Sequence, residues 1–228
     1  MSGSEAVWLA TVTAMAGKGF RFACEQKESE YDAYIALLHR FARDAGVDEN
    51  ELPDVMWCDR GKDDRKTKLP HLFKPSGFLA VSQQMKDVLE QFDLGGSWFK
   101  PVQFLHMDRK RPYPGQFYFF YLPQRKPAFA PEHSSGFSPK LFEDQTHDGT
   151  LERDVTDDQI KVFPSASQGV DVWHDDGLLD SLLFGDRAYQ AIDAAGLAGD
   201  LLPVRCPVFA PNLFTRVLAN QRQYPKLP

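Results

Sequence analysis

The chain has little of what usually announces chemistry. Its 228 residues hold three cysteines, Cys24, Cys58 and Cys206. They are odd in number, widely spaced and set in apolar surroundings, which suits reduced core thiols better than a disulfide framework. No run of about eighteen apolar residues occurs, so nothing reads as a membrane-spanning helix. Met1-Ser2-Gly3-Ser4-Glu5 lacks the basic region and apolar core of a secretory leader, and cytoplasmic residence is the expectation. No H-x-x-x-H, E-x-x-H or C-x-x-C completes a metal ligand set. Gly17-Lys18-Gly19 lacks the spacing of a phosphate loop, and Gly95-Gly96 follows a helical pattern instead of opening one. Ser134-Ser135-Gly136 makes no nucleophile elbow. These absences favour binding over catalysis, with no cofactor.

What is present is apolar bulk and an internal echo. With 43% hydrophobic and 13% aromatic residues, the chain can bury one large core or two small ones without disulfides. Val81 to Gly96, then Pro101-Val102, is repeated as Phe184 to Gly199, then Pro203-Val204. Identities fall at Leu94/Leu197, Gly96/Gly199, Pro101/Pro203 and Val102/Val204. Apolar positions 81, 85, 88, 89 and 92 match 184, 188, 191, 192 and 195, the spacing of one helical face. Each copy predicts a short amphipathic helix, a glycine stop and a strand entered through proline. Ser82 is placed to cap the first helix, and Gly185 or Asp186 to start the second. Gly95 or Gly96 ends the first, and Gly196 or Gly199 the second. Polar Lys86 and Gln190 are expected to face solvent. Upstream, Met56-Trp57-Cys58-Asp59 echoes Val172-Trp173-His174-Asp175 as a Trp-bearing strand end followed by an acid.

That order of elements, from roughly residue 50 to 210, resembles a family of bacterial immunity proteins. Members accompany polymorphic toxins, including those delivered by contact-dependent and type VI secretion machinery. The resemblance implies a cytoplasmic protein that binds and neutralises one cognate toxin and catalyses nothing. The matching positions are helix-core and turn residues, so the resemblance carries over no site.

Elsewhere, Val7 to Met15 and Phe20 to Cys24 predict a hairpin around Ala16-Gly17-Lys18-Gly19. Glu28 to Ala45 is the longest helical pattern, with Tyr31, Tyr34, Ile35, Leu38, Phe41 and Ala42 on one face. Phe99 to Leu105 and Gln116 to Leu122 read as strands. The second is nearly all aromatic and should be central, covered on both faces. The expected class is α+β, with two related strand–helix–strand halves and antiparallel or mixed sheets flanked by helices. Residues 1–122 form the first half, 123–158 a proline-rich then acidic connection and 159–228 the second half, all within one compact unit.

Charge points to the partner. The chain carries a net charge of −6, which works against the phosphate backbone of nucleic acid. Glu143, Asp144, Asp148, Glu152, Asp154, Asp157 and Asp158 crowd one stretch, with Asp175 and Asp176 further on. Arg60, Lys62, Arg65, Lys66, Lys68 and Lys74 crowd another. Ordinary solvation accounts for either run. The functional alternative is that Glu143, Asp144, Asp148, Asp154, Asp157, Asp158, Asp175 and Asp176 meet a basic toxin, such as a nuclease domain. The competing reading is a small metal-dependent hydrolase centred on His174, Asp175 and Asp176.

Overall fold

A computed structural model describes residues 6–13, 20–43, 46–139 and 148–209. In chain order they form β1 (Ala6–Ala10), β2 (Phe22–Ala23), α1 (Glu25–Ser29), α2 (Tyr31–Arg43), β3 (Val55–Cys58), α3 (Gly61–Asp64), β4 (Leu72–Phe73) and β5 (Ala80–Ser82). There follow α4 (Gln83–Leu89), β6 (Trp98–Leu105), β7 (Phe117–Tyr121), β8 (Arg125–Lys126), β9 (Phe137–Pro139), β10 (Gly149–Leu151) and β11 (Val172–Asp175). β12 (Leu178–Leu179), β13 (Leu183–Gly185), α5 (Asp186–Ala194) and β14 (Pro203–Pro207) complete the set. The architecture is α+β. One sheet has the strand order β2-β3-β6-β7-β5-β4, a second β14-β1-β13-β11-β8, and a small third β12-β10-β9.

The echo in the sequence is an echo in space. β5–α4–β6 and β13–α5–β14 each place two strands on either side of an antiparallel third, which is β7 in the first unit and β1 in the second. Val81 faces Tyr118 across the first ladder, and Phe184 faces Trp8 across the second. The helix starts agree as well. Ser82 Oγ accepts from Met85 N at 3.2 Å, and Gly185 is the matching N-cap. Gln83 Oε1 accepts from the Tyr118 hydroxyl, and Asp186 Oδ1 accepts from Trp8 Nε1 at 2.9 Å. Met85 and Leu89 in α4, like Ala188 and Ile192 in α5, are fully buried, and the two helices pack against each other.

The wiring of the third strand differs. β7 directly follows its unit, whereas β1 comes from the start of the chain. The expected pairing of Val7–Met15 with Phe20–Cys24 is therefore not the one formed: β1 pairs with β13 and β14, and β2 pairs with β3. The reason lies in burial. Val7 and Leu9 point into one core while Trp8 packs against the other. A strand covered on both faces needs a sheet around it, which a two-stranded hairpin does not supply.

The Trp-and-acid echo upstream is also not equivalent in space. β3 lies parallel beside β6, but β11 lies antiparallel beside β13. The helix ends differ too. Gly196, at φ 73°, closes α5 in a Schellman turn, its N–H donating to Asp193 O and that of Leu197 to Ile192 O. α4 stops at Leu89, and Gly95 (φ 56°) turns the chain only later, before the Ser97 N–H to Leu94 O bond. The long helical pattern breaks at Glu30 into α1 and α2, and its buried face is Tyr34, Leu37 and Phe41, leaving Tyr31 59% exposed.

Two cores result. The larger joins the six-stranded sheet, α2, α4 and α5, with Phe22, Phe73, Phe78, Phe104, Phe119 and Phe120 fully or nearly fully buried. Phe119 and Phe120 point to opposite faces of β7, so this strand is covered on both sides. The smaller core packs Val7, Leu9, Trp173, Leu183, Val204 and Cys206 of the second sheet under Ala128, Phe129, Val155, Ile160, Val162 and Ala166. Residues from the proline-rich and acidic stretch thus cover a sheet face. Cys24, Cys58 and Cys206 are free and buried, and burial pushes their thiols above the usual cysteine range.

Candidate interaction surface

The third sheet lies over the smaller core and gathers much of the acidic sequence. Phe137 in β9 meets Phe129 edge to face, with ring centroids 5.0 Å apart, and this contact holds the sheet down. β10 then pairs with β9 on one side and, in parallel, with β12 on the other. β12 exists because Asp176-Gly177 turns the chain out of β11. Glycine suits position 177 because the space beside it is tight. A Cβ there would stand 2.9 Å from Asp148 Oδ2 and 3.2 Å from the Phe129 ring. The Asp148 N–H donates to Gly177 O at 2.8 Å, which places Asp148 beside Asp176.

The acids divide into inward and outward sets. Asp175 is 3% exposed; its Oδ2 accepts from the amides of Ala128 and Phe129 at 2.9 and 2.8 Å, and its Oδ1 from Gly177 N at 2.8 Å. Burial outweighs those three bonds and raises its pKa to about 6. This corrects its assignment to the binding surface, since its carboxylate is committed to the fold. Asp157 and Asp158 face outward but grip β14: Asp157 Oδ1 accepts from Arg205 N at 2.8 Å, and Asp158 Oδ1 meets the Arg205 guanidinium at 2.6 Å.

Asp148, Glu152, Asp154 and Asp176 are exposed, and Asp176 lies 3.8 Å from Arg125. Glu143 and Asp144 lie outside the described residues. On β12 of the same sheet Leu179 is 45% exposed and paired with Thr150, and next to it Asp180 forms a 2.9 Å ion pair with Lys74. Sequence reasoning missed Leu179. The signal was available: Asp176-Gly177 is a turn pair ahead of Leu178-Leu179, and a two-residue strand on a surface sheet buries only one of its two leucines.

The three side chains of the hydrolase reading do not converge. His174 Nδ1 bonds to Ser181 O, Asp175 turns to the 128–129 amides, and Asp176 faces Arg125. Burial lowers the His174 pKa to about 4, which leaves the imidazole neutral. Beneath them Lys126 lies 3.7 Å from the Trp173 ring centroid and donates to Ala166 O and Val170 O. Burial brings its pKa down to about 8. Among the described residues no three His, Cys, Asp or Glu side chains cluster to hold a metal, and no helix is long and apolar enough to cross a membrane.

An acidic, shallow face carrying one apolar side chain suits recognition of another macromolecule. The model of the Immunity protein family (Imm11) matches residues 17–199. The chain belongs to the Imm11 immunity protein family. Within this immunity protein the matched stretch contains α4, α5 and the acidic sheet, and it leaves β1 and β14 outside. A comparison with curated proteins gives no match.

Proposed function

We propose that this protein neutralises one cognate antibacterial toxin, a basic nuclease domain, by stoichiometric occlusion in the cytoplasm, and catalyses nothing itself. Family membership supports the toxin-directed role. The observation that carries the finer reading is the third sheet, where Leu179 is exposed on a short strand and Asp148, Glu152 and Asp176 are exposed at the strand ends, while the neighbouring acid Asp175 is turned into the fold. Asp148, Glu152, Asp154 and Asp176, with Glu143 and Asp144 of the adjoining stretch, are the contacts we assign. Like charges held together are uncomfortable in the free protein and are relieved by a basic partner. A central apolar anchor inside a polar rim is the usual anatomy of a protein interface.

The test uses the toxin domain encoded beside this gene. Replacing Asp148, Asp154 and Asp176 by Asn and Glu152 by Gln should slow association by about tenfold or more at low salt and flatten its dependence on ionic strength, with the melting curve unchanged. Leu179→Asp should speed dissociation. Parent association kinetics that stay constant from roughly 50 to 500 mM salt, a range across which screening lengths fall several-fold, would remove the acidic face from the interface.

A further inference from the structure

The molecule has a second charged, apolar-tipped surface, and its sign is opposite. α3 and the β6–β7 turn form it together. In Lys62-Asp63-Asp64-Arg65-Lys66 the two acids point inward. Asp63 is 3% exposed, and its Oδ2 takes Arg21 N at 3.0 Å and the Arg60 guanidinium at 2.7 Å. Asp64 Oδ1 accepts from Met107 N at 2.7 Å and meets His106 Nδ1 at 3.0 Å, tying α3 to the turn. The bases Lys62 and Arg65 stay exposed. The sequence looks nearly balanced here; the surface is basic.

The turn itself is built to hold its shape. His106 N donates to Arg111 O at 2.8 Å, and Asp108 Oδ1 accepts from Lys110 N and Arg111 N at 2.9 and 3.0 Å. Arg109 stands at φ 56°, a left-handed conformation unfavourable for a long side chain that persists where surroundings impose it. Its guanidinium lies 4.1 Å from the Trp57 ring centroid and is forked onto Glu28 at 2.6 and 3.2 Å. At the apex Met107 is 47% exposed. Arg109, Lys110 and Arg111 flank it, Arg111 paired with Asp108 at 2.6 Å, and Trp57 lies half-buried behind.

We infer that this tip, centred on Met107 and bounded by Lys62, Arg65 and Lys110, is a second docking surface that takes an acidic segment of a protein partner bearing one apolar side chain. Charge selects the occupant, because these cations stand together on a chain whose net charge is −6. Met and Arg are enriched at interface centres, and a turn already pinned by Asp64 and Asp108 loses little entropy on binding. The inference does not rest on the toxin reading, which concerns the opposite charge on another sheet.

The test takes the full chain labelled at its methionine methyls and a short synthetic peptide of glutamate and aspartate with one central leucine. Saturable shifts of the Met107 methyl are expected, with the buried Met56 and Met85 methyls unmoved. Lys62→Glu with Lys110→Glu should weaken binding at least tenfold, and Met107→Ala several-fold, without altering the melting curve. Three outcomes overturn the proposal. The Met107 methyl does not shift; a DNA duplex competes as well as the peptide, which would make the tip a general polyanion site; or the free protein is a dimer that Lys110→Glu dissociates, which would make a second copy the occupant.

Discussion

The two strand–helix–strand units solve one packing problem with different residues. In the first, Lys86 lies over the rings of Tyr118 and Phe99 at 5.3 and 5.5 Å. In the second, the matching position is Tyr189, stacked on Trp8 at 3.8 Å. Each third strand offers an aromatic, and each helix covers it, once with an aliphatic cation and once with a ring. What is kept is geometry: a helix residue one turn before Leu89 or Ile192 has to span the same gap. What is free is chemistry, because stem methylenes and an aromatic face bury comparable area. The price of the second solution is wiring, since its third strand must travel from the other end of the chain.

That comparison breaks most visibly at β1. Removing residues 1–10 takes away β1, which lies between β13 and β14 in the second sheet, and with it Val7 and Leu9 of the smaller core. Loss of cooperative melting is expected, although those residues lie outside the matched family region. Leu9→Asp, at a fully buried position, should cost roughly 3 to 5 kcal/mol in a denaturant titration. Leu89→Asp and Ile192→Asp should each cost the same roughly 3 to 5 kcal/mol if the units are equivalent. A large inequality between them would show that one helix is peripheral. Smaller changes sharpen the match. Gln83→Ala and Asp186→Ala each remove the acceptor for the third-strand aromatic and should cost about 1 kcal/mol. The aspartate change should cost a few tenths of a kcal/mol more, because it also removes a carboxylate from the helix start.

The units were legible because helical spacing and the Leu, Gly, Pro-Val punctuation are local. Ser82, Gly185 and the 85/89 and 188/192 core pairs could all be placed from the sequence. The wiring could not, since nothing in Ala6–Ala10 records that its partners lie near residues 184 and 205. Lys86 shows a related limit. Its polarity predicts solvent, but its side chain is only 19% exposed, with its ammonium joined to Glu90 at 2.6 Å. The acidic surface was half legible. Composition marked the stretch, yet whether an acid faces out depends on which amides lie beneath it, and Asp175 is claimed by Ala128 and Phe129 from a distant segment. Leu179 and the Met107 turn escaped for the same reason, because exposure of a single apolar residue is a property of the folded surface.

The echoed strand ends, where the two regions diverge chemically, leave the parent's net stability almost unchanged with pH and show their effect only when one partner is removed. Asp59 sits between Arg21 and Lys27 at 3.4 and 3.1 Å, behind the thiol of Cys58. The corresponding His174 and Asp175 are consecutive, the first partly and the second fully buried, with pKa values displaced in opposite directions, to about 4 and about 6. The signs oppose. For His174 the unfolded state binds the proton more readily, so acidification from about pH 6.5 to 4 removes stability. For Asp175 the folded state binds it more readily, so acidification from about pH 6 to 4 adds stability. Displacements of this size are each worth up to about 3 kcal/mol, and in the parent protein the two contributions largely cancel. Substitution separates them. His174→Gln should leave a protein whose stability rises, relative to the parent, as pH falls through that window, and Asp175→Asn one whose stability falls. Slopes of stability against pH, not absolute values, are the measurement, because the asparagine also loses the bond from Gly177. If both variants keep the parent slope, the pair is not coupled to folding, and the second strand end is no more pH-sensitive than the first.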